Sequence, residues 1–386
     1  MTVAAVDSVA AVRDAVLDAS HARRTLRIAG RGTWLDAGRP VSASETLSVR
    51  ELAGITEYVP GDLTMTALAG TTLGEIRAAT APHGQWLALD PFGDDGGTIG
   101  ATVSTGSSGP LVTYFGRPRD LVLGLEFVTG AGVVARGGGR VVKNVAGFDL
   151  TRLLTGSWGT LGVITEVTVR LHARPEADES IAISLDERPT AAAERTRQLL
   201  RRLPFVPYVC EVVNDSLARH LAIGSGLTVL VRLGGNRESV AAQRAALNEL
   251  GDIRDIDQNV WPALRACEPA SANVVRLSRL PSEIGLTWSD GQSICETVGS
   301  GTAFMHATPS RGIVRCILPR GNAVSRTRLA EALGAPTTVT RVGERLENAL
   351  WSFVTRQSPS DELASRVKAT FDPHAILNPG LLGAAS

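Results

Sequence analysis

Apolar residues from Val3 to Ala19 recur at helical spacing between charged ones, which predicts an amphipathic helix. Leu26 to Ile28 reads as a short strand that stops at a tight turn, AGRGT, from Ala29 to Thr33. A second strand is predicted within Thr64 to Gly70, and a helix from Leu73 to His83 with Thr72 as its N-cap. From Gly96 to Gly109 no side chain is charged and none is bulkier than Ile99. A flexible linker would need no apolar residues, yet Ile99, Ala101 and Val103 punctuate this run in alternation. Two β-rich runs, DLVLGLEFVTG and GVVARGG, flank Gly130-Ala131-Gly132 and read as a hairpin. The alternating Val163 to Leu171 predicts a last strand before HARPEADES, a charged, proline-containing junction taken as a domain boundary.

Beyond that junction the pattern changes. SIAISL, YVCEVV, LTVLVRL and ANVVRLSRL read as strands, interleaved with the helical patterns PTAAAERTRQLLRRL and ESVAAQRAALNEL. The arrangement predicts an antiparallel α+β layer, with 181–250 as one β-α-β-β-α unit of the split kind. Thr302 to Leu318 reads as a hairpin, and the tail as a helix closed by Asp-Pro and an Asn-Pro-Gly turn.

The Gly/Thr/Ser run and the later GSWGTLGVITEV, from Gly156 to Val167, suggest one shared ligand. Glycines let successive N–H groups converge, and such a nest or a helix N-terminus binds a diphosphate without lysine. With 386 residues, 44% of them hydrophobic, the chain is long enough for two or three domains. Its 39 basic residues cancel its 39 acidic ones, which removes the electrostatic case for nucleic acid or an anionic membrane as principal partner. Only Lys143 and Lys368 are lysine, which base composition explains without any functional reading. Cys210, Cys267, Cys295 and Cys316 are too widely spaced to suggest a disulfide framework or metal centre. The amino terminus lacks the pattern of a signal peptide and no apolar run approaches membrane-spanning length, so a cytoplasmic chain with no integral membrane segment is expected.

Several chemistries are excluded by spelling. There is no G-x-x-x-x-G-K-[ST], no G-x-S-x-G elbow and no H-E-x-x-H, and no metal site is expected. Gly130 to Ala135 matches G-x-G-x-x-A, but β-branched residues follow where a helix should open, so it is read as a hairpin turn.

AGRGT, TIGATVSTGSSG, VVKNVAGFDLTRLLTGSWGTLGVITEV and the terminal FDPHAILNPG, in this order, resemble the FAD-binding flavoproteins of the vanillyl-alcohol oxidase and p-cresol methylhydroxylase (PCMH) type. KNVAGFDL and the short C-terminal half look most like the smaller FAD-binding subunit of bacterial glycolate oxidase. The resemblance implies a two-domain α+β fold: a PCMH-type FAD-binding domain over 1–174, a smaller antiparallel α+β cap over 175–361, and a segment, 362–386, that returns to the first domain. It places Gly30, Arg31, Gly32 and Thr33 in the first diphosphate turn, followed by Trp34. Arg31 stands where glycine is more usual, its guanidinium either capping the phosphate or facing solvent. Pro91, Thr98, Ile99, Gly100, Ala101, Ser104, Thr105 and Gly109 would line the diphosphate and flavin edge. Gly159, Gly162, Val163 and Ile164 would close around the ribityl or adenine portion, and Asn378 would return to the flavin. Thr33, Trp34 and Ser107 stand where relatives carry a tethering histidine or cysteine, so FAD is expected to be held non-covalently. On this reading Gly100→Asp sets a carboxylate against the diphosphate and removes FAD without unfolding the second domain.

Flavin chemistry on a small hydroxyacid also needs an anion anchor and a base. The candidates are His306, flanked by Met305 and Ala307 in a predicted strand where packing histidines are common, with Arg311 and Arg315 nearby. His83 and His374, beside prolines in turns, are read as structural. Hydroxyacid dehydrogenases of the family carry H-x-G-D-G-N-x-H in the second domain, and this chain lacks it, as the smaller glycolate oxidase subunit does. Three roles stay open: a component of a 2-hydroxyacid (glycolate or lactate) dehydrogenase system with a larger catalytic flavoprotein and an iron–sulfur subunit; a self-sufficient FAD-dependent alcohol or hydroxyacid dehydrogenase or oxidase; or an assembly subunit keeping FAD only as architecture.

Overall fold

The computed structural model describes residues 2–139, 149–269, 271–299, 301–354 and 361–381. Most of KNVAGFDL lies outside the described residues. The chain divides into two units: Met1–Gly109, Phe115–Arg174 and Gln357–Ser386 form the first, and Pro110–Tyr114 with Pro175–Arg356 the second.

The first unit opens on a three-stranded parallel sheet in the order β1-β3-β2, with β1 Thr2–Ala5, β2 Leu26–Ala29 and β3 Glu45–Ser48. The predicted helix therefore starts later than its apolar pattern, at Val9–His21, where the Ser8 side chain accepts the Ala11 amide. Val3 to Val6 is short and apolar, so it suits strand as well as helix, and pairing with residues 45–48 decides for strand. Next come β4 Ile55–Val59, β5 Thr64–Leu68 and β6 Gln85–Trp86. The helix after β5 runs Leu73–Thr80 before a 3-10 turn at Ala81–His83; Thr72 and Glu75 cap it reciprocally. β7 Val122–Val128 and β8 Val134–Gly138 form the expected hairpin, followed by β9 Val163–Arg170 and β10 His172–Ala173. β4, β5, β9, β7 and β8 make an antiparallel sheet in that order, and β10 pairs with β6. The tail helix Asp361–Phe371 leads to a segment that hydrogen-bonds β2: Leu26 donates to Ile376 O and Asn378 to Leu26 O, at 2.7 and 2.9 Å.

In the second unit β11 Ala177–Leu185, β12 Val209–Val213, β13 Leu227–Gly235 and β14 Ile253–Asp255 are followed by β15 Ala272–Ser278, β16 Phe304–Thr308, β17 Ile313–Pro319 and β18 Thr340–Arg345. All eight share one antiparallel sheet ordered β14-β11-β13-β12-β16-β17-β15-β18. Each half orders its strands fourth, first, third, second, and the halves join where β12 pairs with β16. The split unit expected over 181–250 is thus present, extended by β14, and occurs twice. Met305, Ala307, Val314 and Cys316 join the apolar core with the helices Pro189–Arg202 and Ile284–Glu296. Alternation puts Glu211, His306, Arg315 and Arg276 on the other face.

Candidate cofactor site

Both Gly-rich segments meet in one open cleft within the first unit. Its lining includes Gly30, Gly32, Thr33 and Trp34 from the turn after β2, then Gly100, Ala101, Ser104 and Thr105 from the helix Ile99–Thr105. Gly159, Gly162 and Ile164 come from the second segment, and Asn378 from the tail. Hydrogen bonds join the two segments: Trp158 donates to Ser104 O at 2.7 Å and Gly156 to Val103 O at 3.0 Å. Asn378 fastens the tail across them, accepting the Ile28 amide through Oδ1 at 2.8 Å and donating through Nδ2 to Trp158 O at 2.7 Å.

Six expected residues do not line the cleft. Ile99 and Val163 are buried in the core of the unit. Thr98 is buried behind the turn, where its hydroxyl accepts the Ala101 amide and a Cβ on Gly30 would meet it at 2.6 Å. Gly109 packs on the Asp90 carbonyl, 2.2 Å from where a Cβ would sit, and the adjacent Pro91 is buried. The Arg31 side chain is exposed, and its charge is felt by Glu75, whose carboxyl is held low mainly by the Thr72 hydroxyl and amide. The alternation of Ile99, Ala101 and Val103 resolves as helix: Ile99 and Val103, four apart, are buried and Ala101 is not. Gly100 lines the cleft with its backbone only, and a side chain there would point at Ala69. Its amide bonds Ala69 O at 2.9 Å, and a Cβ there would fall 2.6 Å from Ala69 Cβ, so an aspartate would strike packed backbone, not a diphosphate.

The lining also contains residues that the pattern did not single out: Arg27, Ile28, Ala29, Leu35, Val49, Trp158 and Leu381. Trp34 and Trp158 stand edge to face, ring centres 6.1 Å apart. Strand residues beside a Gly turn look like ordinary core in the sequence, and Trp158 sat inside a motif read for its glycines.

The second unit holds the other candidates. His306, 3% exposed, lies 2.8 Å from Glu211 through Nδ1, and the opposite Glu211 oxygen accepts the Thr308 hydroxyl at 2.6 Å. Arg315, expected as an anion anchor, is buried and paired with Glu268 and Glu344. Burial works against the Glu344 charge, but Arg315 and Arg276 outweigh it and hold that carboxyl below the usual range. These carboxylates occupy the Arg315 guanidinium, so it serves the sheet. All four cysteines are free and buried, and burial pushes the Cys267 thiol up to about 12. Among the described residues, no group of three or more His, Cys, Asp or Glu is placed to hold a metal, and no helix is long and apolar enough to cross a membrane.

The cleft suits a long, anionic, partly aromatic molecule. Among the described residues its one charged lining residue is an arginine, no carboxylate lines it, and two indoles flank it. At Gly159, φ +68, a Cβ would lie 2.9 Å from Asn378 Nδ2 and 3.7 Å from Ser104 Oγ, so a side chain there would intrude between the walls. Among the described residues no acceptor within the chain pairs with the amides of Gly30, Arg31 and Gly32.

Residues 2–138 match the FAD binding domain family. The chain is 31% identical to the glycolate oxidase subunit GlcE of Escherichia coli (strain K12), over 96% of each chain. It is 28% identical to the glycolate oxidase subunit GlcD of Bacillus subtilis (strain 168), over 91% of this chain and 82% of that one. Its fold matches the crystal structure of p-cresol methylhydroxylase with substrate bound, at a TM-score of 0.76 and 15% identity over 99% of this chain and 88% of that one. The chain belongs to the FAD-binding flavoproteins, in the family of glycolate oxidase subunit GlcE, and FAD is its cofactor.

Proposed function

We propose that the chain is the FAD-binding component of a 2-hydroxyacid dehydrogenase system, acting on glycolate or lactate together with a larger flavoprotein and an iron–sulfur subunit. The observation that carries the flavin half is the convergence of both Gly-rich segments and the tail on one cleft, whose charged lining among the described residues is Arg27. The assembly half is supported by similarity to two proteins each named as a subunit of glycolate oxidase. It is supported too by the missing H-x-G-D-G-N-x-H segment. The reading makes 1–174 and 362–386 the cofactor domain and 175–361 the cap.

Bound FAD supplies a hydride acceptor for the hydroxyl-bearing carbon. Asn378 holds the cleft together across the tail, Trp34 and Trp158 flank it, and non-covalent attachment fits a lining with no histidine or cysteine among the described residues. His306 is the proposed base. Glu211 orients the imidazole through Nδ1, and the imidazole is proposed to take the hydroxyl proton. The test is anaerobic addition of D- and L-2-hydroxyacids to the purified chain, alone and co-expressed with its partner subunits. Bleaching only in the assembled system supports the proposal; rapid bleaching of the isolated chain makes it a self-sufficient dehydrogenase.

A further inference from the structure

Arg27 is the unexplained charge of the cofactor cleft. It lies on β2 between Leu26 and Ile28, where alternation would leave it exposed, yet it is only 7% exposed. Its one hydrogen bond runs from Nη2 to Leu35 O at 3.1 Å. A guanidinium carries five N–H donors, and a buried one is ordinarily matched by a carboxylate. Among the described residues no carboxylate is in ion-pair reach of Arg27, whereas the similarly buried Arg315 has two, Glu268 and Glu344. Burial alone lowers the Arg27 pKa, with no acidic neighbour raising it.

The direction of the side chain matters as much as its isolation. Leu35 closes the turn that begins at Gly30, so the bond to its carbonyl holds the guanidinium against the segment whose Gly30, Arg31 and Gly32 amides have no acceptor among the described residues. Arg27 and this turn line the same cleft. Gly30 and Gly32, whose amides have no acceptor among the described residues, and the largely desolvated Arg27 guanidinium line one cleft, a donor set that suits a phosphoryl oxyanion.

We propose that Arg27 is the counter-charge of the cofactor's diphosphate, compensated by ligand instead of by any residue of the fold. The inference rests on the FAD reading of the cleft. It makes two claims that a packing arginine would not satisfy: removing the charge weakens binding of any diphosphate, and it does not weaken the apoprotein, because an uncompensated buried charge is destabilising.

The test is calorimetric titration of the full-length apoprotein and of Arg27→Gln and Arg27→Lys with FAD, ADP and inorganic pyrophosphate, alongside thermal unfolding of each apoprotein. The expected loss for Arg27→Gln is about 10- to 100-fold in affinity for all three probes, the scale of a charged hydrogen bond. Arg27→Lys keeps part of the affinity, and the Arg27→Gln apoprotein melts no lower than wild type. Affinities within twofold of wild type overturn the proposal. So does a fall for FAD and ADP but not pyrophosphate, which assigns Arg27 to the adenine side. A misfolded or less stable Arg27→Gln apoprotein also overturns it, making the residue structural. A wild-type chain that binds pyrophosphate but not FAD removes the flavin reading and leaves Arg27 as an anion site; one that binds no probe removes both.

Discussion

Asn378 and Trp158 are both non-glycine residues in the left-handed backbone region, at φ +44 and +56, and Asn378 Nδ2 donates to Trp158 O at 2.7 Å. Each conformation is unfavourable by itself and persists only where its surroundings hold it. Here each residue is held by the other and by a third element: Trp158 N–H by Ser104 O, and Asn378 Oδ1 by the Ile28 amide. Asn378→Ala leaves the Ile28 amide and the Trp158 carbonyl without these partners, at a cost of about 1–3 kcal/mol each where water cannot replace them. The expected outcome is loss of most bound FAD, read as the ratio of flavin to protein absorbance. Asn378→Asp fares no better, because it sets a carboxylate oxygen against the Trp158 carbonyl.

The tail that delivers Asn378 has its own anchor. The fully buried Asp372 carboxylate accepts the Ile376 and Leu377 amides at 3.1 and 2.9 Å and pairs with Lys368, which also donates to Thr160 O at 2.6 Å. Asp372→Ala should lower the melting temperature of the chain and release FAD together, whereas Lys368→Met should release FAD more than it destabilises, since burial already disfavours the lysine charge.

Two glycines of the cleft should behave differently. Gly100→Ala drives a methyl into Ala69 and is expected to cost about 1–3 kcal/mol as overpacking, while the folded fraction keeps its FAD. Gly159→Ala places its methyl between Asn378, Ile28 and Ser104, and should lose FAD out of proportion to its effect on melting. Differential scanning fluorimetry with and without added FAD separates the two.

Acid should weaken the first unit through His172, which sits edge-on to Phe115 with ring centres 4.9 Å apart. Burial, and secondarily Arg170, lowers its pKa below 6.5. The folded state therefore prefers the neutral ring. As pH falls below 6.5 the unfolded chain takes up a proton that the folded chain refuses, and stability declines until the folded pKa is reached. His172→Phe should flatten that limb of a melting-temperature profile.

If His306 is the base, His306→Gln should slow flavin reduction by about 10²- to 10⁴-fold at unchanged FAD content. Glu211→Gln should shift the pH profile of reduction while leaving FAD bound. Equal losses of folding and rate in both variants would make the pair a packing element.

Much of the cleft was legible because its chemistry is carried by glycine. Gly30, Gly32 and Gly159 stand out of any pattern, and a turn or close approach leaves a mark at the residue that makes it. The helix Ile99–Thr105 was harder: with small residues on every face, an i, i+4 pair such as Ile99 and Val103 also fits alternation. Thr2–Ala5 was misread because a four-residue apolar segment has no period of its own, and its partner lies forty residues away. The second half of the eight-stranded sheet does not read as a repeat in the sequence because its strands keep the same order without keeping the same residues. Arg27 was invisible for a different reason, since an arginine at a strand position reads as exposed until burial shows otherwise.

Binding of FAD in this cleft is read from the visible absorption spectrum of the purified chain. The account predicts a yellow protein with one FAD per chain, released on denaturation, and recovery of that stoichiometry when stripped protein is given FAD. A colourless chain that cannot be reconstituted would contradict it.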